Sequence, residues 1–515
     1  MLARFKAGIP PANERKKLLP LGLIFFCILF NYTILRDTKD VLMVTARGSG
    51  AEVIPFMKTY VNLPSAIGFT VLYSKMCDKM SQKRVYMTTV VGFLTFFATF
   101  AFVLYPASSV IHPHAFCDYL MTILPAGFSA PVAILRNWTF AMFYVLAEMW
   151  GSVVVSLLFW GFANEVTTID EAKKYYPLFG MGANVALIFS GQYVKLVSGI
   201  RSRLPPGVDA WGASLKLLIG AVLASGGVML TTYKYMQDHV LTDPNCVDVE
   251  KRAKSAAKKK MNKEKMGVRE SAKFLMSSPY IRNLATLVIS YGMCINIVEV
   301  SWKSKLKLAF PNPSDYSAFM GNFSSATGAV TLFMMLIGRS VFAKFGWKTA
   351  AMVTPTMIGV TGLAFFGLTL FPASVAPFAA TMGMTPLMLA VFVGAAQNIL
   401  SKSSKYSLFD PCKEMAYIPL DQESKTKGKA AVDVIGNPLG KSGGSLIQQM
   451  LIFSVGSLAA STPYLAGILA CLVFFWYRAA GNLATQFDAA MSNYSEDIEE
   501  DDTTVVVEVE KVKED

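Results

Sequence analysis

The sequence predicts an all-α polytopic membrane protein, with twelve transmembrane helices in two six-helix halves. Three observations predict it. The 515 residues are 53% hydrophobic with a mean hydropathy of +0.43, too apolar for a soluble enzyme. Apolar runs of bilayer length recur along the chain, at 18–35, 54–73, 86–105, 138–162, 177–196 and 213–233, then at 283–300, 318–342, 349–371, 384–400, 430–455 and 462–478. Cations collect in alternate connections, 75–84, 251–265 and 402–429, which places those loops and both termini on the cytoplasmic side.

That distribution also explains the net charge of +13: positive-inside loops account for it, and nucleic-acid binding is not implied. Two connections depart from the rule, those with Arg201 and Arg203 and with Lys303, Lys305 and Lys307; the second is read as substrate-facing charge in an outer loop. Seven cysteines have no metal or redox spacing, and three histidines at 112, 114 and 239 are too scattered for a metal or haem site. No cofactor and no obligate protein partner are expected, only membrane lipid.

The elements follow in order. Arg4, Lys6, Arg15, Lys16 and Lys17 precede the first span without a small-residue cleavage site, so 1–17 is read as a cytoplasmic segment before a retained helix. Residues 18–235 form the first half and 281–480 the second. Between them, 236–280 is a basic cytoplasmic linker ending in a short amphipathic helix, SAKFLMSS, and 481–515 is an acidic tail expected to be disordered. A weak internal echo suggests duplication: Asn31 precedes a charged loop and PFMKTY, Asn296 precedes another and AFMGNF, and GMGAN ending at Asn184 matches VIGN ending at Asn437. Parallel six-span repeats are the major facilitator arrangement, with substrate bound near the midplane between halves.

Four charges fall inside spans: Lys58 in IPFMKTYV, Glu148 in FYVLAEMWGS, Glu299 in INIVEVSW and Lys441 in NPLGKSGG. A charge at the bilayer centre costs about 2.5 to 3.5 kcal/mol on insertion scales, so such residues mark functional sites by default. Asp433, Asn437, Lys441 and Ser445 recur at four-residue spacing, as do Tyr144, Glu148, Ser152 and Ser156, each set making a polar stripe on one helix face. Blander readings stay open: Lys441 pairing with Asp433, Glu299 with Lys303 at the membrane surface, and Lys58 snorkelling to the interface. GNPLGKS at 436–442 imitates a phosphate-binding loop, but the spacing is one residue short and no soluble strand precedes it. A nucleotide-hydrolysing membrane enzyme is therefore disfavoured, and the absence of repeating charged rings argues against a channel. Two lysines suit an anionic substrate and two carboxylates can shield them when it is absent, a gating arrangement that a polyphosphate would release.

Longer motifs carry a resemblance. ILRDTKDVL, PFMKTYVNLP, LAEMWGSVV, FWGFAN, DEAKKYYPLFG, VEVSWKSKLK, KYSLFDPCKEMAYIPLD, KGKAAVDV and NPLGKSGG resemble the ATP/ADP translocases, nucleotide transporters of plastids and obligate intracellular bacteria. The resemblance runs from about Lys16 to Gln486 and implies import of ATP in exchange for ADP on a major-facilitator-like fold, with inorganic phosphate as an additional counter-substrate. It places the family's essential charges on Lys58 and Lys441, for phosphate, and on Glu148 and Glu299, for gating. Similar sequences in the family also include proton-coupled nucleotide importers, so symport stays open as the alternative. The short N-terminal segment suggests a chlamydia-type bacterial member in the inner (cytoplasmic) membrane. Asp410, Lys413, Glu414 and Asp421 are read as a charge network between the halves. Asn side chains can pair with adenine and aromatic rings can stack on it; Asn31, Tyr32, Tyr144, Asn296, Lys303, Asp433 and Asn437 are the candidate nucleotide contacts.

Overall fold

The computed structural model describes residues 12–205, 207–243, 268–432 and 436–514, and among these every regular element is a helix. The first half comprises α1 (Ala12–Val44), α2 (residues 53–79), α3 (Gln82–Leu104), two short helices α4 (His114–Ile123) and α5 (Ala126–Arg136), then α6 (Trp138–Val166), α7 (Ile169–Ser198) and α8 (Ala210–Val240). After the linker, of which 244–267 lies outside the described residues, come α9 (Val268–Ser277), α10 (Pro279–Ala309), α11 (Pro313–Gly338) and α12 (Ser340–Leu370). The chain ends with α13 (Pro372–Thr381), α14 (Pro386–Met415), α15 (Gln422–Ala431), α16 (Asn437–Val455) and α17 (Thr462–Glu514).

Local chemistry sets the helix starts. Thr168 and Glu171 form a reciprocal capping box at α7, Ser278 caps α10 and Thr385 caps α14; the last two are followed by a first-turn proline whose missing N–H costs nothing there. Eight helices among the described residues are long and apolar enough to cross a membrane, and α13 with α14, bent by 86° at their junction, make a ninth. The three remaining long helices, α2, α7 and α16, are less apolar because polar side chains interrupt them: Lys58, Thr59 and Asn62 in α2, Asn184, Gln192 and Lys195 in α7, Asn437, Lys441, Ser445, Gln448 and Gln449 in α16. Two of those three carry Lys58 and Lys441, read above as phosphate ligands, so hydropathy fades where those candidates lie.

The halves meet along two seams. α7 lies against α11, and contact there is close because neither backbone has a side chain in the way: a Cβ on Gly321 would sit 2.7 Å from the amide nitrogen of Lys195, and one on Gly191 would sit 2.7 Å from that of Ser325. Small residues that let backbones approach are the usual adhesive between membrane helices, where lipid removes the hydrophobic drive. The second seam sets the first turns of α2 against α16, with Gln449 donating to the Pro55 carbonyl at 2.9 Å and to Thr59 Oγ1 at 2.8 Å.

Several expectations are corrected. The first span does not stop near residue 35: α1 stays helical to Val44, and Asp37, Lys39 and Asp40 are buried within the bundle, not looped outside it. Lys303, Lys305 and Lys307 belong to α10, with Lys303 buried. The stretch 402–415, read as loop, continues α14. The expected boundary at 481 falls inside α17, which is helical to Glu514 and buries Leu483, Ala484 and Phe487. The stripe from Tyr144 to Ser156 also fails beyond Glu148, because Trp150–Phe159 is a π-helix whose wider turn rotates Ser152 and Ser156 out of register; their hydroxyls donate to the carbonyls of Met149 and Gly151. Asp410 pairs with Lys405 at 2.7 Å, and Glu414 with Lys413 at 3.3 Å and Lys429 at 2.8 Å, partners that all belong to the second half.

Candidate functional site

The site is built from α1, α2, α6, α10, α14 and α16. On α1 the segment Arg36–Asp40 has no glycine or proline before Gly48, so the helix continues and carries its charges inward. Lys39 Nζ lies 2.8 Å from Glu148 of α6 and 3.0 Å from its neighbour Asp40. Asp40 also pairs with Lys303 of α10 at 2.8 Å. Lys303 reaches Glu299 one turn earlier at 3.1 Å, and Glu299 meets Lys402 of α14 at 3.3 Å. Six side chains of alternating sign therefore run from Glu148 to Lys402 through both halves. Beside them, Arg36 donates to Ser324 at 3.0 Å and Ser324 to Asp37 at 2.6 Å, which ties α1 to α11 as well as to α10.

Lys58 and Lys441 stand next to this chain but are held differently. Lys58 Nζ donates to Asn296 Oδ1 at 3.3 Å, and it lies within electrostatic reach of Glu299, Lys303, Glu148 and Lys39. The Asn296 amide in turn donates to the Lys441 carbonyl at 2.9 Å and to Ser445 Oγ at 2.8 Å. One asparagine thus links the two lysine-bearing helices. The approach of α10 to α16 depends on Gly292, where a Cβ would sit 2.6 Å from the Gly440 carbonyl carbon. Lys441 itself is exposed, one turn before Ser445; among the described residues its ammonium has neither a hydrogen bond nor an ion pair.

The structure therefore brings Lys58, Glu148 and Glu299 into one charged cluster, with the Lys441 backbone joined to it through Asn296. The partners differ from expectation: Glu148 and Glu299 are neutralised by Lys39, Lys303 and Lys402, not by Lys58 and Lys441. The Glu299–Lys303 pair exists, but as a link in a buried chain and not as a surface i, i+4 pair. Of the candidate nucleotide contacts, Asn31 is fully buried and donates to the Val222 carbonyl at 3.1 Å, a packing role that echoes Asn296. Tyr144 is fully buried with Lys39 Nζ 3.7 Å from its ring centroid, so its face is taken. Tyr32 stays part-exposed, with Arg36 5.8 Å over its ring. Asn437 is part-buried at the start of α16, and Asp433 lies outside the described residues. Lys39, Asp40 and Lys402 were missed because a hydropathy reading ends a span where charge begins. The signal that the helices continue is the lack of glycine and proline from 36 to 47 and from 395 to 410.

No group of histidine, cysteine or acidic side chains suited to a metal ion occurs among the described residues. A bundle of long apolar helices with a chain of charges set between its halves has the fold class of the major-facilitator-like transporters. Solved structures of that architecture match the fold: a bacterial homologue of the iron transporter ferroportin in an inward-facing state, with TM-score 0.54 at 15% identity over 92% of this chain and 98% of that one, and a D-xylose-proton symporter, with TM-score 0.53 at 12% identity over 90% and 96%. Sequence narrows the class. The chain belongs to the TLC ATP/ADP transporter family, whose model matches residues 6–487. It is 59% identical to the chloroplastic ADP,ATP carrier protein 1 of Arabidopsis thaliana over 93% of this chain and 75% of that protein. It is also 53% identical to ADP,ATP carrier protein 1 of Chlamydia trachomatis serovar D over 95% and 92%, and 40% identical to the Rickettsia bellii carrier over 93% and 95%.

Proposed function

We propose that this chain exchanges ATP for ADP across a membrane by alternating access, as a carrier and not an enzyme, with Lys58 and Lys441 receiving the phosphates. One observation carries the assignment of the lysines. Lys39, Lys303 and Lys402 each lie within 3.3 Å of a carboxylate, whereas Lys58 contacts a neutral amide and Lys441 has no partner among the described residues. These two positive charges remain available to an anion. They also come from opposite halves, so one polyphosphate touching both would engage α2 and α16 together, and charge-assisted contacts of this kind are each worth about 1.5 to 3 kcal/mol.

Glu148 and Glu299 are assigned to gating: each is part-exposed to the chamber, so an arriving phosphate would repel it while competing for its lysine. Tyr32 is the stacking face for the base, part-exposed beneath a guanidinium. All twelve long helices cross the membrane in this reading, α2, α7 and α16 included, because their polar groups are buried in protein or line the chamber. Both termini then lie on the side of the basic loops. A bacterial inner membrane, ATP as the imported nucleotide and phosphate as an additional counter-substrate complete the proposal.

The test is uptake of labelled ATP into proteoliposomes loaded with ADP. Lys441→Ala and Lys58→Ala are each expected to raise the half-saturating ATP concentration about 10-fold to 100-fold. Wild-type-like saturation in both would remove the lysines from the phosphate site. Uptake that persists without internal ADP and follows an imposed pH gradient would replace exchange by proton symport.

A further inference from the structure

We propose that Asp40 is the positioning residue that couples chamber occupancy to the parting of the two halves, and that its pair with Lys303 holds the empty carrier shut at this end. The inference rests on the exchange reading above. Its basis is how the six-membered chain divides between the halves. The first half supplies Glu148, Lys39 and Asp40, two acids and one base; the second supplies Lys303, Glu299 and Lys402, two bases and one acid. The whole chain is neutral, yet each half alone is not. Only the Asp40–Lys303 link crosses between them.

Burial divides the chain in a second way. The side chains of Lys39, Asp40 and Lys303 are 3%, 2% and 6% exposed, whereas Glu148, Glu299 and Lys402 at the ends are 35%, 22% and 20% exposed. The crossing link is dry and the ends are wet. A charge stripped of its partner in a dry site is costly, whereas one at a wet end is resolvated. Parting the halves therefore leaves opposite, uncompensated charges at the middle of the chain, which disfavours opening of the empty carrier at this end.

A ligand can move this equilibrium only through contacts that differ between the two states, and the wet ends supply them. An anionic phosphate chain near Lys58 repels Glu148 and Glu299 and attracts Lys39 and Lys402. As Lys402, the lysine at the wet end, turns toward phosphate, it no longer balances Glu299. Lys303, shared between Asp40 and Glu299, is then drawn toward Glu299, and the crossing link loosens from the second half. Without phosphate none of this happens, and the carrier does not reset empty.

Coupling is read in proteoliposomes as the efflux of labelled ATP without external nucleotide, divided by efflux with external ADP. Asp40→Asn keeps the shape of the side chain and removes its charge. It is expected to raise that ratio about tenfold, within the usual range of coupling energies, and Lys303→Gln to do the same. Because both act on one link, the double variant should leak no more than either single one, and Asp40→Glu should stay near wild type. An unchanged ratio in Asp40→Asn, or single effects that multiply in the double variant, would overturn the proposal while leaving exchange intact; absence of exchange in wild type would instead overturn the reading it rests on. Hydrogen exchange on the unmodified protein gives an answer independent of any variant. Peptides covering 36–49 and 303–312 should be protected without nucleotide and lose protection under saturating ADP. Equal exchange with and without nucleotide refutes the latch.

Discussion

The two ends of α2 behave as if they belonged to different proteins. Residues 53–57 are buried and the turn that follows is tied across to the second half, through Lys58 to Asn296 and through Pro55 and Thr59 to Gln449. From Leu63 to Lys79 the same helix has no buried residue. α11 repeats the contrast, with Tyr316, Met320, Phe323 and Ser324 buried and Phe333, Leu336 and Ile337 beyond them exposed. At the first end the ties run between halves: Asp40 to Lys303, Arg36 to Ser324, Ser198 to Ser317 at 2.9 Å, Lys307 to the Ser49 carbonyl, and Phe56 and Phe128 against Phe453. At the other end each half is stitched to itself, Lys17 to Glu171 and Tyr175 to Glu14 in the first, Tyr280 to the Ala416 carbonyl and Asn283 to Gln486 in the second. Among the described residues, polar ties between the halves are concentrated at the Asp40–Lys303 end of the charged chain, and the named ties at the other end lie within a half.

The comparison can be broken most severely at the closed seam. Gly321→Leu forces a side chain into a space already occupied by the backbone of α7, and overpacking of this kind costs about 1 to 3 kcal/mol or more. A large loss of folded protein, measured by monodisperse yield and thermal unfolding in detergent, is the expected result; a wild-type yield would mean the two backbones are not in contact. A milder break is Gln449→Leu. It removes two hydrogen bonds between α16 and α2, each worth about 1 kcal/mol net, so the closed end should open more often and hydrogen exchange of residues 53–62 should rise several-fold while exchange activity persists. Unchanged protection would show that the α2–α16 tie is ornamental. The smallest effect belongs to the unlatched end: Tyr175→Phe deletes a bond to Glu14 inside one half, and transport should stay within about twofold of wild type because such a contact is worth only about 1 kcal/mol. A loss as large as that of the lysine variants would contradict the division between ends.

Membrane spans are legible in the sequence where apolar runs are unbroken and are obscured where charge enters them. Glu148 and Glu299 were found because each is a lone acid among apolar neighbours. Lys39 and Asp40 were passed over because they stand in a cluster, RDTKD, that on hydropathy alone resembles a loop; burial is affordable there because each charge meets one of opposite sign from another helix, information that no single stretch contains. Lys402 went the same way, in a serine-rich segment that reads as a surface. The π-helical turn after Glu148 also has no signature in a four-residue spacing, so the polar stripe expected along α6 ended with its acid.

The chain by itself determined that it would be a membrane bundle, where most helices start, and which four charges needed an explanation, since the cost of a charge in lipid depends on local composition. Only the tertiary structure decided how those charges are answered. Pairing depends on distances between helices far apart in sequence, and it is those distances that set Lys39, Lys303 and Lys402 against carboxylates while Lys58 meets a neutral amide.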